Sequence, residues 1–201
     1  SSFNKALKIS KNISEVYSGI GDVYFETQKY NDALKNYEKS NSLKKNIPET
    51  LTKMGATYRY IGDFLKAIDF HKNAIKIDPN FVEAYVNLSI GYRELFNIDD
   101  ALLSLDKALR IKPNYEIALI NKAILLADLG KYRDSIDIYN KILKINPKNY
   151  DAHTNLGILY LSQYNFLSGW RHYGERFKTK FYVNEIKTNL KQWDGIEKIN
   201  S

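Results

Sequence analysis

Three histidines and one spaced row of asparagines are the residues of this chain with the most chemistry to offer. His71, His153 and His172 would be the first candidates for acid–base or metal chemistry. They lie far apart in sequence, and no His pair stands at i, i+4 with a carboxylate, so neither a metal site nor a catalytic base is expected. The chain has no cysteine, which removes disulfide scaffolds, thiolate zinc sites, iron–sulfur clusters and cysteine nucleophiles. Neighbouring acids such as Asp99-Asp100 fit the start of a helix, where they favour its dipole, and not two carboxylates facing each other across a cleft. The glycines are spread along the chain with no phosphate-cradling loop. A non-enzymatic protein without a cofactor is the expectation. The asparagines are different: Asn87, Asn121 and Asn155 follow one another at a fixed interval. An Asn amide both donates and accepts, so such a row can bond the N–H and C=O of an extended peptide with little regard to its sequence.

The 201 residues are 44% hydrophobic and 26% charged, the composition of a folded protein of one domain or two small ones. No apolar run reaches the roughly 18 to 20 residues of a membrane span, and SSFNKALKIS lacks the apolar stretch of a signal peptide. A cytoplasmic location with no membrane partner is therefore expected. The 30 Lys+Arg against 23 Asp+Glu give a net charge of +7. Lys is accompanied by many Asn, Ile and Tyr across the whole chain, and no aromatic platform is interleaved with it, so nucleic-acid binding is not favoured. Binding to a polyanion would fall steeply with salt.

The elements that must position the asparagines show as a repeat. Pro79, Pro113 and Pro147 are 34 residues apart, in the strings KIDPN, RIKPN and KINPK. Counting 34 per unit gives starts at Ser14, Pro48, Val82, Glu116 and Tyr150 without an insertion. Place 8 is Gly21, Gly55, Ser89, Ala123 and Gly157; place 20 is Ala33, Ala67, Ala101, Ser135 and Gly169. Place 11 reads Tyr24, Tyr58, Tyr92, Leu126 and Tyr160. Spacings of three and four, small residues where two helices approach, Gly62-Asp63 and Gly130-Lys131 at turns and Pro after the second helix predict two amphipathic helices per unit.

Tyr85, Leu88, Tyr92, Ala101, Ala108 and Pro113, with Gly55, Tyr58, Ala67, Ala74 and Pro79 one unit earlier, carry a pattern that resembles the tetratricopeptide repeat family. The resemblance implies an all-α solenoid, a right-handed superhelix of antiparallel helix pairs. It divides the chain into five repeats over 14–183 (14–47, 48–81, 82–115, 116–149 and 150–183). Residues 1–13, with Phe3 and Ala6, are expected to be the tail of a preceding repeat helix, so that the chain begins within a repeat. Residues 184–201 are expected to form a capping or junction segment. His71 and His153 then stand in for core aromatics of the repeat.

The resemblance also implies a concave groove lined by the first helices, and with it a protein or peptide partner. The sixth place carries Asn87, Asn121 and Asn155; the ninth carries Ile90, Ile124 and Ile158; the fifth carries Val86, Ile120 and Thr154. A similar asparagine row lines the repeats of O-linked N-acetylglucosamine transferases, where it holds the substrate polypeptide. The other reading of this row is structural or compositional, since Asn is abundant here. An outward apolar stripe beside the row would mark an interaction surface. Glu15, Glu49 and Glu83 form an acidic row at place 2, with Arg59 and Arg93 at place 12, pointing to a partner of mixed charge. Ser18, Asp22, Thr52, Ala56, Ile117 and Asp151 stand where chaperone-binding members would need Lys, Asn or Arg, which argues against binding an acidic tail. Lys35, Lys39, Lys66, Lys72 and Lys76 fall on second helices and are expected to form a solvated convex face. An open repeat end invites pairing with another copy.

The fifth unit departs from the pattern, with Arg176 at the place of Ala74 and Ala108 and no closing Pro. Trp170, Tyr173, Glu175 and Arg176, followed by Trp193-Asp194-Gly195, resemble the junction at which bacterial tetratricopeptide repeats precede a glycosyltransferase-like domain. That resemblance implies a substrate-recruiting arm of a larger enzyme. The alternative, compatible with it, is that Trp170, Tyr173 and Phe177 form the stripe of a capping helix, with Trp193 folded back on the last pair.

Overall fold

The structure is a computed structural model that describes residues 14–178. The expected repeat tail at 1–13 and the segment 184–201 with Trp193 lie outside the described residues. Among these, every regular element is helical. First helices α1 (Ser14–Glu26), α3 (Pro48–Ile61), α5 (Val82–Glu94), α7 (Glu116–Asp128) and α9 (Tyr150–Ser162) alternate with second helices. These are α2 (Tyr30–Leu43), α4 (Phe64–Ile77), α6 (Ile98–Ile111), α8 (Tyr132–Ile145) and the short α10 (Phe166–Tyr173), followed by a 3-10 turn at Gly174–Lys178. The chain divides into two compact units at Pro113–Asn114. In the first, α1/α2, α3/α4 and α5/α6 form hairpins, and α2 meets α3 as α4 meets α5. In the second, α7/α8 and α9/α10 form hairpins, and α8 meets α9. The fold is all-α.

Local sequence explains where helices begin and end. Asp63, Asn97, Asn149 and Asn165 each cap a helix by accepting from the backbone N–H three residues on. Pro48 takes the first position of α3, where a missing N–H costs nothing. At the other end, α4, α6 and α8 stop two residues before Pro79, Pro113 and Pro147.

Each hairpin closes on small residues. Ala33, Ala67, Ala101 and Ser135 at place 20 are fully buried, and Ser135 Oγ donates to the Ala123 carbonyl at 2.8 Å. Place 8 meets place 24 of the partner helix. A Cβ on Gly21 would stand 2.5 Å from the Tyr37 ring, one on Gly55 would stand 2.6 Å from the His71 ring, and one on Gly157 would strike the Tyr173 backbone. Place 27 is equally tight: Ser40, Ala74, Ala108 and Ile142 are fully buried. A charged Arg176 cannot be buried at that place, and there the second helix has already given way to the 3-10 turn. Its guanidinium lies 3.8 Å from the Tyr173 and Phe177 ring centroids and donates to the Tyr173 carbonyl.

The turn inside each hairpin needs a left-handed residue at place 15. Gly62 and Gly130 supply it at φ 91° and 73°; Gln28, Phe96 and Tyr164 adopt it at φ 59°, 57° and 59°. Phe96 is 89% exposed and Tyr164 81%, so burial does not offset the strain at either. A Cβ at Gly62 or Gly130 would touch nothing within 4 Å, which isolates the backbone cost. Gly62→Ala and Gly130→Ala should each lose about 1 kcal/mol in urea unfolding, and Phe96→Gly should gain a fraction of that. Unchanged midpoints in the Ala variants would contradict this account of the turn.

His71 is 1% exposed and has no hydrogen-bond partner on either ring nitrogen among the described residues. Burial first, and the Arg59 charge second, push its pKa down to about 3. The unfolded chain takes up a proton as pH falls through 6.5 while the folded chain does not, so stability present above that value is lost toward pH 3. At pH 5 the loss from this residue is about 2 kcal/mol, at 1.36 kcal/mol per unit. His71→Leu, which copies Leu105 at the same place, should remove that acid sensitivity in thermal melts between pH 7.5 and 5; an unchanged pH slope would refute the assignment.

Candidate functional site

Two pockets occupy the same repeat position in the two units. In the first unit a cavity of about 230 Å³ is lined by Asp22, Phe25, Glu26, Tyr37, Lys53 and Ala56. In the second, a cavity of about 250 Å³ is lined by residues that include Ile124, Asp128, Tyr139, Asn155 and Ile158. Each lies between two successive first helices, with a place-24 tyrosine from the second helix, Tyr37 or Tyr139. Both tyrosines are fully buried apart from a trace of surface, and burial pushes each hydroxyl well above its ordinary range. Asp22 adds to this at Tyr37, and Asp128 at Tyr139, so both phenols stay protonated.

The two pockets then diverge. Asp22 at place 9 accepts from the Tyr37 hydroxyl at 2.8 Å and from Lys53 Nζ at 2.7 Å, and Lys53 also donates to Ser18 Oγ at 3.0 Å. Asp22 and Lys53 are partly exposed, so the pair adds little stability and mainly fills the pocket with charge. In the second unit Ile124 and Ile158 hold place 9 instead, and Asn155 holds place 6 where Lys53 stands. The result is an apolar wall beside one amide.

The residues picked out by sequence fall unevenly. Asn155, Ile124 and Ile158 share the second-unit pocket, with Ile158 50% exposed. Asn121 is half-buried on α7 and donates to the Ile117 carbonyl of its own helix at 3.0 Å, so part of its amide is committed locally. Ile120 is half-buried in the same unit, and Asn87 and Ile90 are half-buried in the first. Val86 does not fit the expected outward stripe: it is 4% exposed and belongs to the core. Place 5 lies on the packed side of the first helix, where Thr52 is also buried and Ser18 is reached by Lys53 of the next helix pair. Arg59 lies 4.3 Å from the Tyr60 ring centroid, and that ring stacks on Tyr30 and meets Phe25 edge-on. Arg93 is exposed on α5. Neither arginine lines the second-unit pocket. Glu15, Glu49 and Glu83 are exposed, as are Lys35, Lys39, Lys66, Lys72 and Lys76.

Two arrangements escaped the sequence reading. The Asp22–Lys53–Tyr37 cluster was signalled by an acid at place 9 facing a base at place 6 one unit on. His153 and His172, 19 residues apart in sequence, meet with their Nδ1 atoms 2.8 Å apart. No group of three or more His, Asp or Glu positioned to hold a metal occurs among the described residues. No described helix is long and apolar enough to cross a membrane.

Residues 14–47, 48–81 and 82–115 each match the family profile described as tetratricopeptide repeat, and 125–163 match a second described as TPR repeat. No curated protein matches the chain. Among solved structures, the thermophilic TPR protein TTC0263 of Thermus thermophilus is 20% identical, with a TM-score of 0.75 over 83% of this chain and 91% of that one. MamA is 24% identical, with a TM-score of 0.64 over 79% and 93%. YrrB, described as a TPR protein with an unusual peptide-binding site, is 18% identical, with a TM-score of 0.60 over 89% and 92%.

Proposed function

The chain belongs to the tetratricopeptide repeat family, and on that footing we propose that it is a non-catalytic interaction scaffold that binds an extended segment of a protein partner along its first helices. The observation that carries this reading is the second-unit pocket, in which the Asn155 amide stands beside the apolar wall of Ile124 and Ile158. An amide serves the partner's backbone, and a cavity of about 250 Å³ takes one large apolar side chain from it. Asn121 on α7 and Asn87 on α5 extend the same row along the sequence, with Ile90 and Ile120 beside them. The first-unit pocket, filled by Asp22 and Lys53, selects polar or charged neighbours instead. Arg59 and Arg93 contribute positive charge at the margin of that unit. The description of YrrB as a peptide-binding TPR protein supports the class of ligand. Asp22 and Asp151, where an acidic tail would need cations, disfavour a ligand of that kind.

The test is selection of extended peptides on the full chain from a random library, followed by calorimetry with the selected sequences. Selected peptides should share a large apolar residue. Asn155→Ala should weaken them about two- to tenfold, the worth of one side-chain to backbone hydrogen bond, and Ile158→Asp should weaken them more. Binding should vary little between low and high salt, unlike a polyanion's. Equal affinity in the wild-type chain, Asn155→Ala and Ile158→Asp would overturn the reading.

A further inference from the structure

His153 on α9 and His172 on α10 meet nitrogen to nitrogen. Their Nδ1 atoms are 2.8 Å apart, and the ring centroids, 5.0 Å apart, leave room for little more than that distance and a ring radius on either side. With an interplanar angle of 29°, the rings lie nearly edge to edge and share one hydrogen bond. The second nitrogen of His153, Nε2, lies 3.1 Å from the Pro147 carbonyl oxygen, which can only accept. Neutral His153 therefore carries its proton on Nε2 and presents a bare Nδ1, and His172 donates from Nδ1. One extra proton fits this arrangement: an imidazolium at His153 donates from both nitrogens, to Pro147 and to His172, whose own proton moves to Nε2. A second extra proton does not fit, because two Nδ1–H groups and two charges then face each other.

The geometry points to a pH-sensitive clasp: the His153–His172 pair fastens α10 to α9 while it holds no more than one extra proton, and releases it when it holds two. The fastening matters because α10 has only eight residues, of which Gly169 alone is buried. Beyond the pair, α10 is seated by Tyr173 against Gly157, by Gly169 against Leu161 and by the Tyr160 ring, 5.8 Å from that of His172. Burial, then His153, then Arg171 on α10 itself oppose the charged form of His172; Glu175 on the 3-10 turn favours it, and the balance holds His172 below its ordinary value of 6.5. Arg176 is turned to Tyr173 and Phe177. Attachment present above the ordinary imidazole value is therefore lost as pH falls through it toward the lower folded value.

The test uses the full chain labelled with nitrogen-15. Histidine ring spectra at pH 7.5 should show His172 in the Nδ1–H form, the minor neutral tautomer of a free histidine side chain, and His153 in the Nε2–H form. Amide exchange, corrected for its intrinsic pH dependence, should show protection of 166–173 falling severalfold more than that of α7 and α8 between pH 7.5 and 5. Comparison within one unit separates release of α10 from general acid unfolding. His153→Tyr, which copies Tyr85 at the same place, should keep α10 protected and reduce the pH response to the part that burial of His172 accounts for. His172 found in the Nε2–H form at pH 7.5, α10 protection unchanged at pH 5, or a pH response undiminished in His153→Tyr would each overturn the clasp. The ring spectra are read on the wild-type chain, so they decide the matter even if the variant does not fold.

Discussion

Everything in this molecule depends on how closely two helices of a hairpin approach at three places. At place 20 the contact admits Ala, Ser or Gly, and at place 8 a glycine leaves room for the large residue at place 24. Close approach brings helix surfaces into van der Waals contact over their whole length, which a longer side chain at either place would prevent. The 34-residue period is the trace of that requirement in the sequence. Where it fails, as with Arg176 at a place that is otherwise fully buried, the second helix shortens and the chain passes into a 3-10 turn.

The same scaffold presents two chemically different pockets, because the pocket-lining places are free of that constraint. Place 24 must fill the space behind a small place 8, so Tyr37, His71, Leu105 and Tyr139 are all buried there. Places 6 and 9 of the first helices only line the pocket mouth. Asp22 with Lys53 makes one pocket ionic, and Ile124 and Ile158 with Asn155 make the other apolar with a single amide. A repeat protein of this kind can thus hold its hairpin geometry while changing what each unit recognises.

Histidine shows how far position decides chemistry. His71 sits in the core against Gly55 with no partner for either nitrogen among the described residues, and burial keeps it neutral over the physiological range. His153 holds an aromatic place at the start of its unit, yet it is half-buried and faces another imidazole. The same side chain is a spacer in one hairpin and a shared-proton partner in the other, and burial together with the nearest polar atom makes the difference.

Helix type, hairpin turns, small contact places and the prolines that end second helices were all legible in the sequence, because each follows from spacing along one chain. Gly62 and Gly130 showed the turn, and Pro79, Pro113 and Pro147 the period. The gathering of Ile124, Ile158 and Asn155 was legible for the same reason: residues 34 apart recur at equivalent points of successive helices. The burial of Val86 was not, since an apolar residue at place 5 reads alike whether it faces solvent or a neighbouring helix. Nor was the His153–His172 pair, which forms only where α10 lies against α9. Periodicity specifies which residues share a face. Which faces are covered, and which polar atoms come within hydrogen-bonding distance across two helices, depends on distances that only the assembled tertiary structure decides.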